Sequence, residues 1–112
     1  MMASSSRSVP VVRVSRGQFA PDRYQEVLEL IRASEDALRP ALESLRGLIY
    51  YHVGVDRETG TVVNVSLWDD MAAARQMDGL AAMLAQRPIL ERAGVKFDRI
   101  ANYEPLWSLG RP

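Results

Sequence analysis

The amino-acid sequence predicts an α+β fold in the order strand, helix, strand, strand, helix, strand. Three observations carry that expectation. A three- and four-residue apolar repeat from Tyr24 to Leu45 lies between two stretches rich in valine and tyrosine. The segment Asp56-Arg57-Glu58-Thr59-Gly60 is a hairpin signal joining Leu48–Asp56 to Val62–Trp68. A second helical pattern starts after Asp69-Asp70 and gives way to alternation from Val95 onward. Two split βαβ units with right-handed crossovers form a ferredoxin-like four-stranded antiparallel sheet with both helices on one face.

Taken in order, residues 1–8 are a Ser-rich lead without the apolar core of a signal peptide, and are expected to be disordered. Residues 9–109 form a single domain. A chain of 112 residues is large enough to bury roughly two thirds of its unfolded surface. Val9 to Arg16 reads as the first strand, with Val12 and Val14 on one side and Gly17 ending it. Pro21 suits the first turn of a helix, where its missing N–H costs nothing. Tyr24, Val27, Leu28, Ile31, Leu38, Leu42 and Leu45 form the apolar stripe of that helix, and its charged residues the solvated face. Pro40 falls inside it, which predicts a kink or two consecutive pieces.

Gly47 releases the chain into the second strand, Leu48 to Asp56, and Gly60 suits a positive-φ position in the turn that follows. Asp70 is placed to cap the next helix, with Asp69 also near its positive end. Met71, Ala74, Met77 and Leu80 give that helix its inward face, and Gly79 and Pro88 divide the segment to Gly94 into two short helices. Val95 to Trp107 then alternates as a last strand.

Composition excludes several classes of function. Fourteen basic and fourteen acidic residues cancel, so no field recruits nucleic acid or an anionic membrane. Without cysteine there is no disulfide, thiolate nucleophile or thiolate metal site, and a single histidine argues against zinc or non-haem iron. No apolar run approaches a membrane span, and the expected compartment is the cytoplasm. The chain carries no glycine-rich phosphate loop, dinucleotide fingerprint or nucleophile elbow. An enzyme built here works without metal, flavin or covalent nucleophile, so no cofactor is expected.

Candidate chemistry centres on Val62-Val63-Asn64-Val65-Ser66-Leu67-Trp68. One face holds Val63, Val65 and Leu67; the other holds Asn64, Ser66 and Trp68, a polar set suited to lining a cavity. A three-residue loop, Glu58-Thr59-Gly60, pairs Arg57 with Thr61 and sets His52 opposite Ser66 and Tyr50 opposite Trp68. One cavity wall then holds Tyr50, His52, Asn64, Ser66 and Trp68. A two- or four-residue loop shifts the register by one and turns His52 to the other face. Gly60 as a bulge residue favours the three-residue loop. Each residue also has a structural reading: Trp68 as core packing, Asn64 satisfying backbone groups, His52 as a surface residue, and the methionines as helix core. With both helices on one face, the face bearing Val63, Val65 and Leu67 is bare, and a sheet-to-sheet homodimer covers it.

Gly47 opening the second strand, the Val62–Asp70 segment and the helix after it resemble the antibiotic biosynthesis monooxygenase (ABM) superfamily of dimeric α+β barrels. The resemblance runs from the first strand to Trp107. It implies a sheet that joins its twin's in a barrel. For some members it implies cofactor-free oxygenation of polycyclic, anthrone-type phenols to quinones, with an aromatic small molecule and O2 as the substrates. An Asn and a Trp four residues apart line the pocket of those enzymes, and Asn64 and Trp68 match them. His52 corresponds to a histidine of the preceding strand in the favoured register. The implied roles are Asn64 donating to a developing enolate, Trp68 stacking on the ring and donating its N–H, and His52 accepting the proton. Tyr50 and Ser66 complete the pocket.

The match has gaps. Ala72 to Ala74 replace a tyrosine found in some quinone-forming members, and Arg87 and Arg92 are both candidates for a pocket arginine. Leu80 to Gly94 lacks the histidine that the haem-degrading branch needs. A non-catalytic ligand-binding or stress-related dimeric barrel is the alternative, and a small structural dimer without a cavity is a third reading.

Overall fold

The computed structural model describes residues 9–111; the expected lead over residues 1–8 lies outside them. The elements are β1 (Val11–Gln18), α1 (Tyr24–Glu43), β2 (Leu48–Asp56), β3 (Thr61–Trp68), α2 (Met71–Arg75), α3 (Ala81–Arg92), β4 (Lys96–Phe97) and β5 (Ala101–Tyr103). A 3-10 turn, Pro21–Arg23, leads into α1, and another, Gln76–Gly79, separates α2 from α3. The sheet is antiparallel in the order β2-β3-β1, with β4 and β5 both on the outer edge of β1. This is the expected ferredoxin-like α+β arrangement, except that the last strand is split in two. Between its halves the Asp98 N–H still donates to the Arg16 carbonyl (2.8 Å).

The sequence signals are met unevenly. Pro21 stands at the helix entry as expected, but α1 runs through Pro40 as one helix. The second helical segment divides at Gly79–Leu80, while Pro88 sits inside α3 without ending it. Gly17 does not terminate β1. It lies within the strand, at a point where a Cβ would approach a Val95 methyl to 2.6 Å. Beyond Tyr103 the expected strand does not continue, and Leu106, Trp107 and Leu109 project into solvent.

Register assigns the faces. Val11, Arg13, Ser15 and Gly17 stand opposite Trp68, Ser66, Asn64 and Val62, and all point toward the helices. Val12, Val14, Val63, Val65 and Leu67 lie on the opposite face, as the alternation predicts. Two apolar clusters hold the helices down. One joins Val11, Trp68, Leu38, Leu42, Ala73, Ala74 and Met77; the other joins Phe19, Val27, Val62, Ala93 and Val95. They occupy opposite ends of the helix-facing surface, so its middle is not filled from above.

The hairpin differs from the favoured register. Asp56, not Arg57, pairs with Thr61, leaving a four-residue loop over Arg57–Gly60. The Asp56 carboxylate accepts from the Glu58 N–H (2.9 Å), and the Gly60 N–H donates to the Asp56 carbonyl (3.0 Å). The turn therefore closes one residue earlier. Gly60 has φ +70°, and its carbonyl accepts from the Phe19 N–H at 2.8 Å. A Cβ there would lie 2.2 Å from the Phe19 oxygen. The hairpin tip is thus tied to the end of β1.

Gly60→Ala should cost about 1–3 kcal/mol for its left-handed backbone, with the Phe19 contact adding to it. Urea unfolding reads this directly, and an unchanged midpoint would contradict the packing described. A second expectation concerns the α2 cap. The Asp70 side chain accepts from the Ala73 N–H (2.8 Å), which holds its carboxyl below the usual carboxylate range, with Arg46 at 3.5 Å adding to the effect. A depressed folded-state pKa gives stability that is present above the unfolded value of about 4 and lost as pH falls through the folded one. Asp70→Ala should therefore melt earlier than the parent at pH 7, with the gap narrowing on acidification. A gap that widens in acid would refute the assignment.

Candidate functional site

Because the clusters pack at the two ends of the sheet, the central positions face an open space. Two rows cross it. Arg13, Ser66 and Tyr51 form one, and Ser15, Asn64 and Val53 the next. These are the polar positions of β1 and β3, lying between the two apolar clusters. Above Tyr51 and the second row lies a cleft of about 630 Å3. Its floor includes Ser15, Tyr51, Val53 and Asn64, its roof Leu28, Ile31 and Leu38 of α1, and its far side Met83 and Leu90 of α3. Arg32, Glu35, Arg39 and Glu43 reach its rim from α1, where Arg39 and Glu35 form an exposed ion pair. The size and the mainly apolar walls suit a small organic molecule.

Of the residues expected at the site, the structure brings Asn64 into this cleft. Trp68 and Ser66 share its face but do not line it. Trp68 is fully buried in the first apolar cluster, and its indole N–H donates to Ser66 Oγ at 2.8 Å. The ring is therefore closed off from the cleft, and its one donor is already in use. Ser66 is only 2% exposed and reaches a smaller compartment behind the cleft.

His52 and Tyr50 are corrected outright. With Asp56 opposite Thr61, His52 pairs with Val65 and Tyr50 with Leu67, which turns both toward the face without helices. Their rings lie together there, centroids 4.9 Å apart. Tyr51 takes the place expected of them. A bulge between Leu48 and Tyr50 returns Leu48 to the helix side opposite Trp68. Burial pushes the Tyr51 hydroxyl up to about 12, so at neutral pH it is a hydrogen-bond donor and not a base.

Arg13 is the residue that sequence reasoning missed. It is 5% exposed, and its guanidinium bonds Asp78 (2.8 Å) and Asn102 (3.3 Å). The signal was present: if Val12 and Val14 share one side, Arg13 and Ser15 share the other. Among the described residues no cluster of His, Cys, Asp and Glu has the arrangement of a metal site, and no helix is long and apolar enough to cross a membrane.

The arrangement is one shared with solved structures. The chain superposes on a mutant of SnoaB, a cofactor-independent oxygenase from Streptomyces nogalater, with a TM-score of 0.66 and 18% identity, covering 93% of this chain and all of the other. A Deinococcus radiodurans protein assigned by name to the antibiotic biosynthesis monooxygenases matches with a TM-score of 0.67 and 17% identity over 91% and 98% of the two chains. A conserved Methanosarcina mazei protein matches at 0.65 and 17% over 90% and 97%. No protein-family model and no curated protein matches the sequence. The chain therefore has the ferredoxin-like fold of the ABM proteins. At these identities the likeness defines the fold and leaves the reaction to the site.

The Trp68–Ser66 bond can be tested directly. Ser66→Ala removes the acceptor and strands a buried indole N–H, which should cost about 1–3 kcal/mol in denaturant unfolding. Adding Trp68→Phe to Ser66→Ala should then cost less than Trp68→Phe alone in the parent. Strict additivity would show that the bond contributes nothing.

Proposed function

We propose that the protein is a cytoplasmic, cofactor-independent monooxygenase that oxidises an aromatic or polyketide-like small molecule in the cleft between sheet and helices. The observation that carries this reading is Asn64: an amide on the floor of a mainly apolar cleft of about 630 Å3, beside Ser15 and Tyr51. The fold is one in which a cofactor-independent oxygenase has been solved, in one case as an Asn-to-Ala mutant. Electron-rich phenols need little help from a protein. Loss of a proton to solvent water gives a carbanion that adds O2 and takes a proton back to form a hydroperoxide, which loses water to leave a carbonyl. One oxygen atom ends in the product and one in water, and no external reductant enters. Asn64 would donate to the enolate oxygen as charge develops on it. Tyr51, held neutral, is a second donor on the same floor. Trp68 acts through Ser66 as a positioning residue at one end of the cleft.

Two further features bear on the reading. The bare sheet face, with Val12, Val14, Val63, Val65 and Leu67, supports a homodimer through that face, and His52 and Tyr50 would lie in it. A specific observation favours the second reading, a non-catalytic ligand-binding barrel. With His52 turned away, no histidine stands on the cleft floor to accept a proton.

Oxygen uptake with a panel of anthrones and hydroquinones separates the two. Turnover that falls by about 10²–10³ in Asn64→Ala supports the oxygenase. Turnover indifferent to that change removes Asn64 from the mechanism, and none with any substrate favours the binder. For the assembly, Val65→Glu should convert a dimer to monomers in light scattering. A parent that is monomeric, or a variant that stays dimeric, rules out the sheet face.

A further inference from the structure

Behind the cleft lies a compartment with about 40 Å3 of room for water-sized groups. It shares Ser15, Tyr51, Asn64 and Met83 with the larger cleft, so the two adjoin. A single ordered water needs roughly 10–15 Å3 by this measure, so the compartment has room for a head group of two or three heavy atoms. Its polar lining is all donor-bearing: Arg13, Ser15, Tyr51, Asn64 and Ser66. Among the described residues no carboxylate lines it.

The charge at Arg13 is unevenly solvated. Its guanidinium side chain is 6% exposed, whereas its ion-pair partner Asp78 is 62% exposed. Water screens the carboxylate far more than the buried cation, so the compartment sees a net positive field. A fully buried pair would cancel, and an exposed arginine would be screened. This pair does neither. The cleft leading to it is walled by aliphatic side chains, among them Leu28, Ile31 and Leu38.

We propose that the cleft takes an apolar carboxylic acid as its carboxylate, with the head group seated at Arg13 in the rear compartment and the apolar body under α1. The inference rests on the cleft being the ligand site, and it names the class of molecule that fits there. Arg13 supplies the charge, and Ser15 supplies a hydrogen bond to the same oxygens. Asp78 sets how much positive field remains.

The test is a fluorescence titration of the full chain at pH 7 with anthracene-9-carboxylate and with the neutral anthracene-9-methanol. The carboxylate should bind at least about tenfold tighter, and Arg13→Gln should remove that preference while leaving the alcohol unchanged. Asp78→Asn should act in the opposite direction and tighten the carboxylate several-fold. Loss of packing alone cannot produce opposite signs at the two partners. Equal binding of the two ligands by the parent, or binding of neither, overturns the proposal. So does a preference that survives in a folded Arg13→Gln protein. Should that variant not fold, Asp78→Asn decides, and an unchanged or weakened carboxylate affinity counts against the proposal. Oxygen uptake is a separate readout: a carboxylate preference without turnover upholds this site and removes the oxygenase reading. Asn64-dependent turnover without a carboxylate preference does the reverse.

Discussion

The four-residue turn after Asp56 is the constraint on which the site depends. In a strand the side-chain period is two, so one residue more or less in the loop exchanges the two faces of β2. Asp56 closes the turn on its own side chain and carbonyl, and the Gly60 carbonyl accepts from the end of β1. Those bonds put Tyr51 under α1 and His52 on the open face. They also decide which titratable ring reaches the cleft. The answer is a phenol held neutral by burial, not an imidazole.

A second constraint shapes the cavity. Helix α1 is anchored at two ends, through Val27 in one apolar cluster and through Leu38 and Leu42 in the other. Between the anchors the sheet presents Arg13, Ser15, Asn64 and Ser66; Arg13 and Ser66 are buried with hydrogen-bond partners, and Ser15 and Asn64 are left to the cleft. The cleft exists because the core is divided, and its polarity follows from the same division. Trp68 belongs to the core and not to the cleft: its bulk fills one cluster while its N–H fixes Ser66.

The chemistry that follows is economical. In the proposed roles Asn64 and Tyr51 would donate, Arg13 would attract negative charge, and the aliphatic walls would take an apolar body. Such a surround stabilises an oxyanion more than it generates one. That suits a substrate acidic enough to ionise with little assistance, and it equally suits a ligand that arrives already charged.

Much of this was legible in the chain. The alternation of β3, the helical stripe of α1, the Asp70 cap and the turn glycine fixed the order of elements, the faces of Asn64, Ser66 and Trp68, and the bare side with Val63, Val65 and Leu67, because each is a local property of spacing or backbone conformation. What lay beyond it was whatever depends on a partner distant in sequence. The loop length was set by Gly60 meeting Phe19, and Gly17 was required by Val95 and not by a strand end. Trp68 was withdrawn from the cleft by the α1 and α2 residues packed on it, and Arg13 was matched with Asp78. Periodicity determined which side chains share a face; only the packing of helices on the sheet decided which of them line the cleft.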